Sequence, residues 1–145
     1  MKSQYKIGHA HIKVRDLDKS IEFYQDILDF KVTEKVGDYF AFLSGGDMHH
    51  ELALQAVGEN APEPLRHGTG LYHIAYEAES EDSLLTLVEK LKNRHVRYAA
   101  VDHGISHAIY FDDPSGNGVE VYLDTRKQNG NAPWAGKSEP LTIGN

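Results

Sequence analysis

Two histidines and a glutamate are the residues of this chain best suited to hold a metal: His9, His73 and Glu120. Each histidine stands at the start of a β-like run that leads through a short acidic link into an amphipathic helix. Glu120 lies in the last apolar run, Gly118-Val119-Glu120-Val121-Tyr122. Two neutral imidazoles and one carboxylate form a facial ligand set that leaves the other side of a metal ion open, the arrangement typical of non-haem Fe(II). Mn(II) accepts the same donors. His11 shares a strand face with His9 and competes with it as the first ligand. Alternation predicts that Val119 and Val121 face a core and that Glu120 faces away from it.

Other chemistries lack their residues. There is no cysteine, so neither a thiolate nucleophile nor a disulfide framework is available. No Gly-x-Ser-x-Gly elbow and no phosphate-cradling glycine loop occurs. A formal net charge of -7 opposes nucleic-acid binding, which needs a basic face. No apolar run is long enough to span a membrane, and the N-terminus carries no signal-peptide core. The expected setting is cytoplasmic. The 145 residues suffice for one domain with a real core.

The elements that must position the three residues repeat. In the first module Ala10, Ile12 and Val14 alternate with polar residues, as in a half-buried strand. Asp16 or Asp18 caps a helix whose apolar residues are Ile21, Tyr24, Ile27 and Leu28. Strands follow from Phe30, over Tyr39 to Leu43, and over Glu51 to Leu54, with a turn at Gly45-Gly46. In the second module Tyr72 to Tyr76 is a strand, Ser80 or Ser83 caps a helix lined by Leu84, Leu87, Val88 and Leu91, and strand structure resumes at Val96. Ala108 to Phe111 and Val119 to Leu123 are joined by the turn Asp113-Pro114-Ser115-Gly116-Asn117-Gly118. The order is βαβββ twice, a self-similarity that suggests duplication. The expected class is α+β, with paired modules forming a cupped mixed sheet around a metal site. Module one spans about 5–56, a linker 57–70 and module two about 71–124, within one domain of residues 1–126. Residues 127–145 form an extended tail with Trp134 as its large anchor.

The stretches Gly8-His9 through Val14-Arg15-Asp16-Leu17, Ser20-Ile21-Glu22-Phe23-Tyr24, Leu28-Asp29-Phe30 and Asp113 through Tyr122 resemble the vicinal oxygen chelate superfamily. That superfamily includes glyoxalase I, fosfomycin-resistance proteins, bleomycin-binding proteins and extradiol catechol dioxygenases. The resemblance spans roughly residues 5–124 and favours His9 over His11, through the spacing to Asp16-Leu17. Asp29 stands where members usually carry Gly. Three further matches are similar to the extradiol dioxygenases: His50 in His49-His50-Glu51-Leu52-Ala53-Leu54, His103 in His103-Gly104-Ile105-Ser106, and Tyr110, ten residues before Glu120.

The resemblance implies a ring-opening enzyme that binds a small catechol and O2 at Fe(II), held by His9, His73 and Glu120. It implies that His50 is the acid–base residue and stands at the position related by the repeat to Glu120. It implies that His103 and Tyr110 hydrogen-bond a substrate oxygen. His107 is an open second candidate for the pocket, whereas His49, His67 and His95 read as structural or surface residues. A homo-oligomer, dimeric or larger, is expected. The alternatives are a glyoxalase- or fosfomycin-transferase-like metalloenzyme and a metal-free drug-binding protein. His50 near the place of a glyoxalase carboxylate disfavours the first of these. The complete ligand set disfavours the second.

Overall fold

A computed structural model describes residues 1–144. The chain forms two compact units. The first comprises Met1–Arg66 with the turn Pro114–Asn117, and the second comprises His67–Asp113 with Gly118 onward. The first carries β1 (Ala10–Val14), α1 (Leu17–Leu28), β2 (Lys31–Val36), β3 (Phe40–Ser44) and β4 (Leu52–Ala56). The second carries β5 (Ile74–Glu77), α2 (Glu81–Asn93), β6 (Tyr98–Asp102), β7 (Ser106–Asp112), β8 (Gly118–Asp124) and β9 (Glu139–Pro140). The βαβββ order therefore occurs twice, in two mixed sheets of four and five strands. No helix among the described residues is long and apolar enough to cross a membrane.

In the first unit the strand order is β1-β4-β3-β2, with β1 parallel to β4 and the other pairs antiparallel. Asp16 rather than Asp18 starts α1. Its carboxylate accepts the Lys19 amide at 2.9 Å, satisfying one of the free amides of the first turn. α1 buries Leu17, Phe23, Tyr24 and Ile27 against the sheet, where Val14, Leu43, Leu52 and Leu54 are fully buried. The helix ends on Asp29, in the left-handed region at φ 56°. Glycine enters that region freely, and Asp is among the few other residues that tolerate it. The Pro114–Asn117 turn, which the sequence places inside module two, belongs here instead. The Ser115 hydroxyl accepts the Arg15 amide at 2.8 Å, and the Asn117 side-chain amide donates to the Lys13 carbonyl at 2.9 Å.

In the second unit the order is β5-β8-β7-β6-β9, with β5 parallel to β8. Ser80, not Ser83, caps α2. Its hydroxyl accepts the Ser83 amide at 3.2 Å, and Glu81 and Asp82 follow in the positive first turn. Leu84, Leu87, Val88 and Leu91 are buried with Ile109, Phe111, Val119 and Val121, so one face of the sheet is a core. Strand alternation then puts Ala75, Tyr110 and Glu120 together on the other face. β5 begins at Ile74, two residues later than the pattern predicts, and His73 is the residue just before it. The tail is not wholly irregular: β9 pairs antiparallel with β6.

Candidate functional site

Glu120 is fixed by the sheet. β7 and β8 pair so that Tyr110 lies directly opposite Glu120, and β5 and β8 pair so that Ala75 lies beside it. Gly118 lets β8 come this close to the start of β5. A Cβ at that position would run into the Tyr72 carbonyl oxygen and the His73 Cβ. The result is a continuous set of polar contacts within the second unit. His73 Nε2 lies 2.8 Å from Glu120 Oε2, with Glu120 only 12% exposed. The Tyr110 hydroxyl donates to Glu120 Oε1 at 3.1 Å. His103 Nε2 lies 2.8 Å from the same hydroxyl oxygen. The His73 and Tyr110 rings are 5.7 Å apart.

Burial first, and the Glu120 charge second, push the Tyr110 phenol up to about 12. At neutral pH it is therefore a proton donor, never a phenolate. His73 and Tyr110 also line a cleft of 290 Å³ together with Tyr72, Arg97 and Gly118. That is just below the usual volume of small-molecule sites, and neither Glu120 nor His103 lines it. A larger hollow of 560 Å³ lies at the opposite end of β5 and β8, between Glu77, Arg126 and Lys127, and holds none of these groups.

The first unit gathers different candidates. The His9 and His50 rings are 4.7 Å apart, and His50 packs 4.9 Å from Phe42. His49 Nδ1 lies 2.8 Å from His50 Nδ1, and His49 Nε2 lies 3.2 Å from Glu34 Oε2. Burial, then the neighbouring His9 and His49, hold the His50 imidazole below its ordinary value, so it is neutral near pH 7. His11 is exposed beside Phe40.

One positional expectation fails. Within their respective units Ala10 pairs with Leu52 and Ile74 with Val119, while Phe42 pairs with Ala53 and Tyr110 with Glu120. The repeat counterpart of Glu120 is thus Ala53, and His50 stands three residues earlier, in the turn before β4. The chain between Ser44 and Leu52 is bent rather than extended, held by the Glu51 carboxylate on the Gly45 amide at 3.1 Å. Counting along the sequence as though it were strand therefore misplaces the counterpart.

His107 separates from the group. Three residues from Tyr110 on one strand, it faces the other side of the sheet, where its Nδ1 meets Glu81 Oε1 at 2.8 Å. His67 and His95 are exposed, and His95 takes the left-handed conformation just after α2. Two groups with no sequence signal adjoin the site: the Lys137 carbonyl, 3.0 Å from His103 Nδ1, and the Ser138 hydroxyl, 3.1 Å from it.

The donors suit a divalent metal. An imidazole nitrogen and a carboxylate oxygen converge on the polar face of β8, and His9 provides a further imidazole in the first unit. Among the described residues no three His, Asp or Glu side chains already stand together as a ready cage.

A family model described as the Glyoxalase/Bleomycin resistance protein/Dioxygenase superfamily matches residues 6–121. A catechol-2,3-dioxygenase of Bacillus subtilis is 33% identical over 118 residues, covering 81% of this chain and 41% of that protein. A biphenyl-2,3-diol 1,2-dioxygenase of Rhodococcus globerulus is 29% identical over 121 residues, covering 82% of this chain and 63% of its own length. The chain thus spans less than two thirds of either dioxygenase. A lactoylglutathione lyase of Haemophilus influenzae is 28% identical over 131 residues, 86% of this chain and 97% of that protein. A crystal structure of a glyoxylase/bleomycin resistance protein/dioxygenase domain from Frankia superposes with a TM-score of 0.71. It is 25% identical and covers 84% of this chain and 99% of the other.

Proposed function

The chain belongs to the Glyoxalase/Bleomycin resistance protein/Dioxygenase superfamily, and from that premise we propose that it is a metal-dependent extradiol dioxygenase that opens the ring of a small catechol. The observation that carries this reading is the run of contacts from His103 through Tyr110 to Glu120 and His73. A bare ligand set serves isomerases as well as oxygenases. A phenol and a second imidazole beside the carboxylate are what a catechol needs for orientation.

In this reading His9, His73 and Glu120 hold Fe(II) or Mn(II). The bound ion would supply a Lewis-acidic template with open positions for two vicinal oxygens and O2. His50, neutral at working pH, takes a proton from a catechol hydroxyl and returns one later in the reaction. With the Glu120 carboxylate engaged by the ion, Tyr110, protonated at working pH, would turn its one proton from Glu120 to a substrate oxygen, and His103 would hold Tyr110. A second copy of the chain is the partner we assign to exposed apolar side chains such as Tyr5, Ile7 and Leu71. Light scattering tests that assignment.

The deciding experiment is anaerobic loading with Fe(II), or Mn(II), followed by a catechol panel in an oxygen electrode. The expected result is stoichiometric O2 uptake with a yellow ring-opened product. A fully loaded protein that consumes no O2 with any catechol overturns the reading.

A further inference from the structure

Residues 134–141 have no apolar periodicity, yet they pack along β6, and three of them meet the side chain of His103. β9 pairs with β6 through Val101 with Pro140 and Asp102 with Glu139, and the Leu141 amide donates to the Ala100 carbonyl at 3.0 Å. Lys137 Nζ lies 3.1 Å from Asp102 Oδ2, whose other oxygen accepts the Gly104 amide at 2.7 Å. The segment is thereby tied to β6 and to Asp102, the residue just before His103. The Trp134 ring stands edge-on to the His103 ring at 6.3 Å, and Trp134 Nε1 donates to the Lys137 carbonyl at 3.0 Å. That carbonyl and the Ser138 hydroxyl are the two neighbours of His103 Nδ1.

Counting protons assigns the ring's orientation. The Tyr110 hydroxyl donates its single proton to Glu120 Oε1. The Tyr110 oxygen must then accept its second contact from His103 Nε2–H. Nδ1 meets two partners of opposite capacity. The Lys137 carbonyl only accepts, and the Ser138 hydroxyl can donate. A neutral ring with its proton on Nε2 takes the Ser138 proton at Nδ1. A doubly protonated ring donates from Nδ1 to the Lys137 carbonyl. In both states Nε2–H stays aimed at Tyr110.

We propose that the C-terminal segment is a positioning strap, in which the Ser138 hydroxyl and the Lys137 carbonyl hold His103 with Nε2–H directed at Tyr110 whichever proton its other nitrogen carries. Ser138 is a positioning residue. It acts on Glu120 only through His103 and Tyr110, as outer hydrogen bonds commonly fix the tautomer and orientation of functional imidazoles. Its effect on turnover rests on the dioxygenase reading, whereas its effect on the ring does not.

The test reads the ring directly. Full-length metal-free protein with 15N-labelled histidine is observed by two-bond 1H–15N correlation at alkaline pH, where imidazole is neutral. The His103 signals are assigned by their loss in His103→Gln. The strap requires the Nε2–H tautomer in the wild type. In Ser138→Ala only an acceptor faces Nδ1, so the population shifts toward Nδ1–H, and Ser138→Thr restores the wild-type pattern. A wild-type Nδ1–H tautomer, or a Ser138→Ala spectrum unchanged from wild type, overturns the proposal. With a catechol turned over, Ser138→Ala should lower kcat roughly 10-fold with little change in KM. Correct tautomer behaviour in a protein that never consumes O2 leaves the strap standing and removes the dioxygenase reading alone.

Discussion

Tyr110 serves two neighbours with one oxygen, and that double duty makes its loss informative. Tyr110→Phe keeps the ring but leaves Glu120 Oε1 and His103 Nε2 without their shared partner. We expect kcat to fall by about 10²-fold with metal content intact, since one positioned proton donor is typically worth that much. Absorbance titration should show one phenol ionising only near pH 12, and Tyr110→Phe should remove it. The linkage follows from the raised value. Folded and unfolded chains both keep the phenolic proton below about pH 10, so its contribution to stability is complete there. That contribution is lost as pH climbs from 10 toward 12. His50 shifts the other way. Its lowered value predicts an acid limb of kcat/KM below 6.5, and stability that is present above 6.5 and lost as pH falls through the lowered value. His49→Ala removes one of the repelling neighbours, so the limb should move up toward 6.5 in a pH–rate profile. His50→Ala should abolish ring opening while metal stays bound. The Tyr110–Glu120 pair was legible in the sequence only through the family's spacing, and the register of β7 against β8 supplies its physical reason. The same parity would have set His107 aside. The bend between Ser44 and Leu52 hid the true counterpart of Glu120, because strand counting does not survive a bent segment.

Strand approach, more than side-chain identity, controls the site at the level of elements. β5 and β8 lie parallel, and Gly118 sits against the Tyr72 carbonyl just before β5 begins. A methyl group there meets backbone, which cannot rotate away. Gly118→Ala should therefore cost about 1–3 kcal/mol in denaturant unfolding. It should also lower metal affinity beyond that, because His73, just before β5, and Glu120, on β8, flank the point where the chain must part. Equal stability and equal metal affinity in the variant would contradict this. The helices were readable because their apolar spacing and caps are local. Asp16 and Ser80 each accept an amide of the first helical turn, and both were among the residues named from sequence. The tail was not readable: it docks through a short ladder and a backbone carbonyl, groups that every residue possesses and no pattern advertises.

For the molecule as a whole, a metal that binds the folded chain alone adds to its stability by mass action. At a free concentration 100 times Kd the gain is about 2.7 kcal/mol. For a chain of this size that corresponds to a rise in Tm of roughly 5–10 °C. Calorimetry with Mn(II) under nitrogen should show that rise in the wild type and its loss in Glu120→Gln; a Tm that ignores Mn(II) speaks against the ligand set. The ends of the sheets carry a separate consequence. β2, at one edge of the first sheet, bears Lys31, Glu34 and Lys35 and is interrupted between Val32 and Glu34. Charge and irregularity of this kind discourage a foreign strand from pairing. β6 has no comparable protection of its own. It is covered by a strand two residues long that ends in Pro140, which has no amide proton to offer a next strand. A chain ending at Gly130 would leave the outer hydrogen-bonding groups of β6 bare, and light scattering should then rise with concentration and time. Residues 139–141, by covering β6, would thus also guard against self-association, and a chain cut before them is expected to be lost from solution.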